Sequence, residues 1–486
     1  MRRTLLVLQI CLGFFSLACT TLAFLQTVPS ITPIPTPSPT ESASPSPTRQ
    51  EPKAIRWLVG INEEALEYKL MAFAETFNRD QAGQYTLSID TVPYGTGLRD
   101  ALLLQTASDN PPDIVGPMEL DYLWELKDVW LDLSGPLAEN GYDLTDFHPA
   151  LIDTLRLEGS GLASLPLYIH PSALFYNRAL FDHAGVPYPP HEWEAEYEGG
   201  EWTYAALRDI AFRLTRDSAG RSADSENFNS ADIVQFGFYP QWPLDLRGLW
   251  THFGAGSLTD STGRAVIPDT WRRAARWYYD GMWSGRFIPT VADRAKDEGL
   301  WGNPFAYGLT AMYPQNFWMH CCLSDDAPID WDVAAIPSFE GGRPVSRLHI
   351  DSLAILKASE HPQESFDVLT LLMGKYAHEL LQTFRMDSGS FGGYVSLPAR
   401  TSLQPAVIAW NHSIFPDVDY QVFIDALDYA DKPSHLKTLP NPARSREILT
   451  EFQDLFETTP GLDLDQELNR LEEKLQEAFD AAGSLF

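Results

Sequence analysis

The run from residue 55 to residue 115 constrains the fold more than any other part of this 486-residue chain. Residues 55–59 read as a short strand, after which Leu66, Leu70, Phe73 and Phe77 recur at helical spacing. Residues 86–92 alternate as a strand, and Leu98, Ala101, Leu102 and Gln105 outline a second amphipathic helix. Pro111 and Pro112 end that helix, and Asp113, Ile114 and Val115 make a third, very short strand. Strands alternating with helices imply a parallel sheet with helices on its faces. Ligands of such sheets bind outside the carboxyl ends of the strands, here Gly60, Ile61, Asn62 and Glu63, and residues 116–121. Gly95-Thr96-Gly97 is no dinucleotide fingerprint, because it lacks the third Gly and follows the wrong strand.

A second body of α/β structure begins near residue 166. Residues 165–169 and 173–177 read as strands. Thr203 is placed to cap a helix whose apolar face is Leu207, Ile210, Ala211 and Leu214. Trp271, Ala274, Ala275 and Tyr278 mark another helix, and residues 310–313, 333–336 and 350–356 read as strands. A helix over 362–384 turns Phe366, Leu369, Leu372 and Met373 inward. The last helix presents Leu464, Leu468, Leu471, Leu475 and Phe479 on one side; at about three heptads it reads as packed on the second body rather than as a coiled coil.

The amino terminus is laid out for export. Arg2 and Arg3 precede an apolar run over 5–25, and Cys19 follows Ser16, Leu17 and Ala18. This resembles a bacterial lipoprotein signal, cut before a Cys that becomes lipidated, although Ser16 stands where Leu is usual. The apolar run is also long enough for an uncleaved anchor. Residues 1–26 are therefore a signal or anchor, and 27–53 a Pro/Ser/Thr-rich linker with too few large apolar side chains to build a core. At about 3.1 Å per residue, about 25 residues of extended polyproline II reach roughly 80 Å. Either anchor holds the folded part at the outer face of the cytoplasmic membrane. With 66 acidic and 35 basic residues the net charge is −31, which argues against nucleic acid and against peripheral binding to anionic lipid, since both require basic patches. Four Cys are too few for a disulfide scaffold.

Several segments, in order, resemble the bacterial extracellular solute-binding proteins of the maltose type. They are Asp113-Ile114-Val115, NRALFDHAGVPYPP over 177–190, Glu201-Trp202-Thr203, AFRLT over 211–215, GLTAM over 308–312 with Trp318 beyond it, and WDVAAIP over 331–337. The resemblance spans roughly residues 54–430. It implies a type II periplasmic-binding fold: two α/β lobes, each a sheet flanked by helices, closing about a hinge. The first lobe is then 54–165 with 350–390, and the second 166–349 with 391–486. It also implies a monomer without cofactor or metal that carries a small solute, a sugar or oligosaccharide, to the permease of an ABC transporter.

Sugar sites combine carboxylates or amides with flat aromatic rings. Trp318 matches the stacking aromatic of the family, and Tyr313 lies on the same strand end. Tyr239, Trp242 and Trp250 crowd a loop between Phe238 and Phe253. Asn62, Glu63, Glu119 and Asp121 follow strands of the first lobe, while His170 and Asp351 lie on the two presumed crossings. Residues 388–393 form a turn near the cleft, and adjacent Cys321 and Cys322 are candidates for a disulfide at its edge. There is no Gly-x-Ser-x-Gly elbow, phosphate loop or zinc helix. An exported glycoside hydrolase, or a binding protein feeding a signalling receptor, are the readings left open beside transport.

Overall fold

The computed structural model describes residues 51–483 apart from 63, 158–160, 241–245, 297, 301, 324–328 and 386–392. The signal or anchor with Cys19, the linker up to residue 50, Glu63, Trp242 and most of the 388–393 turn lie outside the described residues.

The strand–helix run folds as its periodicity predicts: β1 (Lys53–Ile61), α1 (Glu64–Asp80), β2 (Tyr85–Pro93), α2 (Thr96–Ala107) and β3 (Ile114–Met118). Helix α1 buries Leu70, Phe73, Ala74 and Phe77, one stripe at three- and four-residue spacing. Strand β1 is paired in parallel with β2 on one side and β3 on the other. A six-residue helix, α3 (Leu120–Glu125), follows β3 directly.

The two strands expected at 165–169 and 173–177 are one, β4 (Ser164–Asn177), buried over its whole length. Beyond it come α4 (Tyr204–Leu214), β5 (Ile233–Phe238), α5 (Leu246–Trp250), α6 (Asp269–Trp283), β6 (Thr310–Asn316), β7 (Trp331–Ala334) and β8 (Leu348–Ile355). The Thr203 hydroxyl accepts the Ala206 N–H and caps α4, as its position predicts. The strands form one sheet in the order β2-β1-β3-β8-β4-β6-β5, with short strands Arg216–Asp217 at its end and Leu397–Pro398 and β7 on β4. Strand β4 pairs antiparallel with β8 along its first half and with β6 and β7 along its second. It thereby joins a first half-sheet to a second.

Two hydrophobic cores flank this sheet. One gathers Trp57, Phe73 and Leu353 with Phe175, Tyr313 and Trp331; the other gathers Leu174, Tyr176, Trp250 and Trp271. Residues 173–176 of β4 therefore serve both cores by simple alternation. The single helix expected over 362–384 is two, α7 (Pro362–Met373) and α8 (Ala377–Thr383), because Gly374 leaves helical geometry at φ −115°, ψ −91°. Two helices close the chain, α9 (Pro442–Thr458) and α10 (Leu464–Gly483), the latter burying Leu468, Leu471 and Leu475 in the second core.

Candidate functional site

A cleft of about 600 Å³ opens at the carboxyl ends of β1 and β3, where the parallel sheet predicts it. Gly60 and Asn62 enter from the end of β1, Tyr94 from the turn after β2, and Pro117 and Glu119 from the end of β3. Tyr168 and His170 project from β4 and His349 and Asp351 from β8. Trp318 stands just beyond β6, and Ala65, Leu66 and Lys69 of α1, Phe384 and Arg385 past α8, and Val395 and Ser396 complete the lining.

The strand register brings the two carboxylates together. Ser352 of β8 faces Met118 of β3 in antiparallel pairing. The next residues toward the cleft are Asp351 on one strand and Glu119 on the other. Gly116 makes this approach feasible: its φ is +123°, and a Cβ there would lie 2.3 Å from the Ser352 carbonyl oxygen. Glu119 occupies the N-cap position of α3, yet its side chain makes no capping bond and lines the cleft instead.

The Tyr94 hydroxyl donates to Asp351 Oδ1 at 3.2 Å, with the Glu119 carboxyl also beside it. The other oxygen of Asp351, Oδ2, is 3.1 Å from His170 Nε2. Burial, reinforced by the charges of Asp351 and Asp121, pushes the Glu119 carboxyl up to about 7, against the pull of the Tyr94 hydrogen bond. Burial and the charges of Asp351 and Glu119 hold the Tyr94 phenol well above its ordinary range. Beside this polar corner Trp318 is half-buried, its ring 5.0 Å from that of His170 and 4.9 Å from that of His349. An aromatic face is thus held in place beside hydrogen-bonding carboxylates.

Of the expected residues, Asn62, Glu119, His170, Trp318 and Asp351 meet in this cleft. Asp121 does not line it: this residue belongs to a separate cavity of about 340 Å³ with Arg247, Thr438 and Arg446. Three expected aromatics are elsewhere. Tyr313 is fully buried between Phe175 and Phe305, because alternation along β6 turns it into the first core. Trp250 is fully buried against Trp271 and Phe452, since the expected loop contains helix α5, which carries it into the second core. The Tyr239 hydroxyl accepts a hydrogen bond from Arg294 beside Tyr278 and Phe456, away from the cleft. Cys321 and Cys322 are two thiols with sulfurs 3.4 Å apart, not the expected bridge, whose S–S bond is about 2.05 Å. Their shared hydrogen bond pushes Cys321 up and draws Cys322 down to about 7.

Tyr94, Tyr168 and His349 were not expected here. The carboxyl-end rule points to Tyr94, one residue past β2. Phe384 and Arg385 carry no such signal, because only the folding of α8 against α1 brings them near.

The family of bacterial extracellular solute-binding proteins matches residues 61–379, about two thirds of the chain. This chain belongs to that family. Solved structures agree on the fold: the solute-binding protein is similar to UspC of Mycobacterium tuberculosis (20% identity, TM-score 0.67, covering 87% of this chain and 100% of that one). It is likewise similar to the sugar-binding protein MalE of Xanthomonas citri (18% identity, TM-score 0.66, covering 89% and 99%). Both likenesses place it in the two-lobed periplasmic-binding fold. A Deinococcus radiodurans protein named as a probable ABC transporter-binding protein is 23% identical over 298 residues, 60% of this chain. The solute-binding protein spans 65% of the length of the curated relatives it matches. Among its described residues no helix is long and apolar enough to cross a membrane.

Proposed function

We propose that this solute-binding protein captures a carbohydrate in the 600 Å³ cleft and delivers it to the permease of an ABC transporter. The observation that carries this reading is the pairing of the Trp318 ring with the carboxylates of Glu119 and Asp351 on one cavity. A sugar has apolar C–H faces and a polar rim, and this cavity offers a complement to each. Supporting it, structural neighbours include a cyclic alpha-maltosyl-1,6-maltose binding protein from Arthrobacter globiformis and a protein with mannotriose bound.

The lobes, 54–165 with 350–390 and 166–349 with 391–486, close as the ligand shifts the balance between open and closed states. Only contacts differing between those states drive the shift. Glu119 and Asn62 supply contacts from the first lobe, Trp318 from the second. The protein acts as a monomer, tethered through the 27–53 linker by lipid on Cys19 or by an uncleaved helix, at the outer face of the cytoplasmic membrane.

Titration calorimetry over a panel of neutral and amino oligosaccharides, with small-angle scattering of the saturated protein, tests this. We expect one-to-one binding of at least one sugar, contraction on saturation, and recovery of that sugar intact. Shortened products would overturn the reading in favour of a glycoside hydrolase, and binding without contraction would overturn the closing mechanism.

A further inference from the structure

Three oxygen-bearing groups meet at the polar corner of the cleft with too few protons among them. Tyr94 has one O–H, which can donate to one acceptor at a time; it stands between two carboxylates, Asp351 and Glu119. Asp351 has a second partner in His170 Nε2. Glu119 makes no bond to the N–H groups of the helix it precedes. A buried carboxylate lacking donors is costly, and a second carboxylate beside it adds repulsion.

The remaining charged neighbours do not remove this deficit. Asp121, two residues on, adds negative charge. His349, on β8, is held neutral by burial and by His435 and Arg347. Lys69 and Arg385 line the same cleft but are directed elsewhere: the Lys69 ammonium donates to the Arg385 carbonyl at 2.6 Å, and the Arg385 guanidinium lies 4.8 Å over the Trp410 ring. His170 contributes one further observation, for its Nδ1 is buried without a hydrogen-bond partner among the described residues. The corner thus combines surplus negative charge with unmet hydrogen-bonding capacity, and it shares the cleft with the Trp318 ring.

We infer that the carbohydrate this cleft selects is cationic, an amino sugar whose ammonium sits between Glu119 and Asp351 while its ring lies on Trp318. An ammonium brings three donors and a positive charge to acceptors that share one hydroxyl. A neutral sugar brings donors without the charge. This inference rests on the carbohydrate reading above and narrows it.

The test is calorimetry at pH 7 with the glucosamine trimer against its N-acetylated counterpart, with maltotriose and spermidine as further probes. We expect the glucosamine trimer to bind at least tenfold tighter than either neutral trimer. That preference should fall at least tenfold in Glu119→Gln, which keeps the shape of the side chain and removes its charge. Far-ultraviolet circular dichroism and a thermal melt establish that the variant is folded. Equal or tighter binding of a neutral trimer overturns the inference and leaves the carbohydrate reading intact. Binding of spermidine with no sugar of either kind overturns the carbohydrate reading and keeps the cationic site. A preference that survives Glu119→Gln, or no heat with the glucosamine trimer, overturns the inference.

Discussion

Asp332, buried, and Glu119, half-buried in the cleft wall, are carboxylates that the fold treats in opposite ways. Asp332, on β7, accepts from the Tyr176 hydroxyl at 3.0 Å and from the Val333 and Asp419 N–H groups at 2.8 Å each. His191 Nε2 is 3.0 Å away and Arg178 Nη1 3.6 Å. Burial raises its carboxyl, but those bonds win and hold it below the ordinary carboxylate range. Glu119 lies beside a phenol that donates to a second carboxylate, and there burial wins. Burial alone does not distinguish a structural carboxylate from a binding one. The supply of donors does: where the fold provides them the group ties elements together, and where it withholds them the group waits for a ligand or a proton.

The largest test of this contrast removes the well-supplied partner. Asp332→Ala leaves a buried hydroxyl and two N–H groups unpaired beside a charged Arg178, and should cost about 3–5 kcal/mol of stability in urea denaturation. A loss below about 1 kcal/mol would show that Asp332 is no tie.

Next in size is the pH response of Glu119. Its folded value of about 7 lies above the ordinary 4.5, so the folded state binds the proton more tightly than the unfolded chain. The protonated form is therefore the stabilised one: the penalty is absent below about 4.5, grows as pH rises to about 7 and is constant above it, amounting to about 3 kcal/mol. Glu119→Gln should be more stable than the parent at pH 8, with the difference vanishing near pH 4. Parallel denaturation curves at the two pH values decide it, and a variant less stable at pH 8 would contradict the donor deficit.

The smallest effect concerns the apolar side of the cleft. Trp318→Ala should weaken a bound sugar by about 2–3 kcal/mol while shifting the stability of the ligand-free protein by less, since the ring is only half-buried between two histidines. Unchanged affinity with a collapsed melting point would make Trp318 a core residue like Trp250.

What was legible in the sequence follows from the range of the signal. Apolar spacing is local, so β1 to β3 and their helices were readable, as were the Thr203 cap and the buried face of α10. The ends of parallel strands are also local, and they pointed to Asn62 and Glu119. The aromatics were harder. Trp250 and Tyr313 are aromatic like Trp318, but whether a ring faces core or cleft depends on strand alternation and on a five-residue helix too short to show a periodic apolar pattern. The meeting of Tyr94, Glu119 and Asp351 was out of reach, because it depends on the Ser352–Met118 register between distant segments. For the same reason the break at Gly374 hid the arrival of Phe384 and Arg385.

That register also bears on how the chain must come together in time. Strand β3 has β1 on one side, but its other neighbour is β8, so that Ile114 waits for Ile355. During synthesis from the amino terminus the first half-sheet exposes an unpaired edge until nearly the whole second half has emerged. Such an edge is a template for unwanted pairing, and closure over so long a separation is slow. Native carboxylate contacts at the cleft therefore belong to the final stages of assembly, and a nascent chain truncated before residue 348 lacks the strand that completes both the sheet and the binding site.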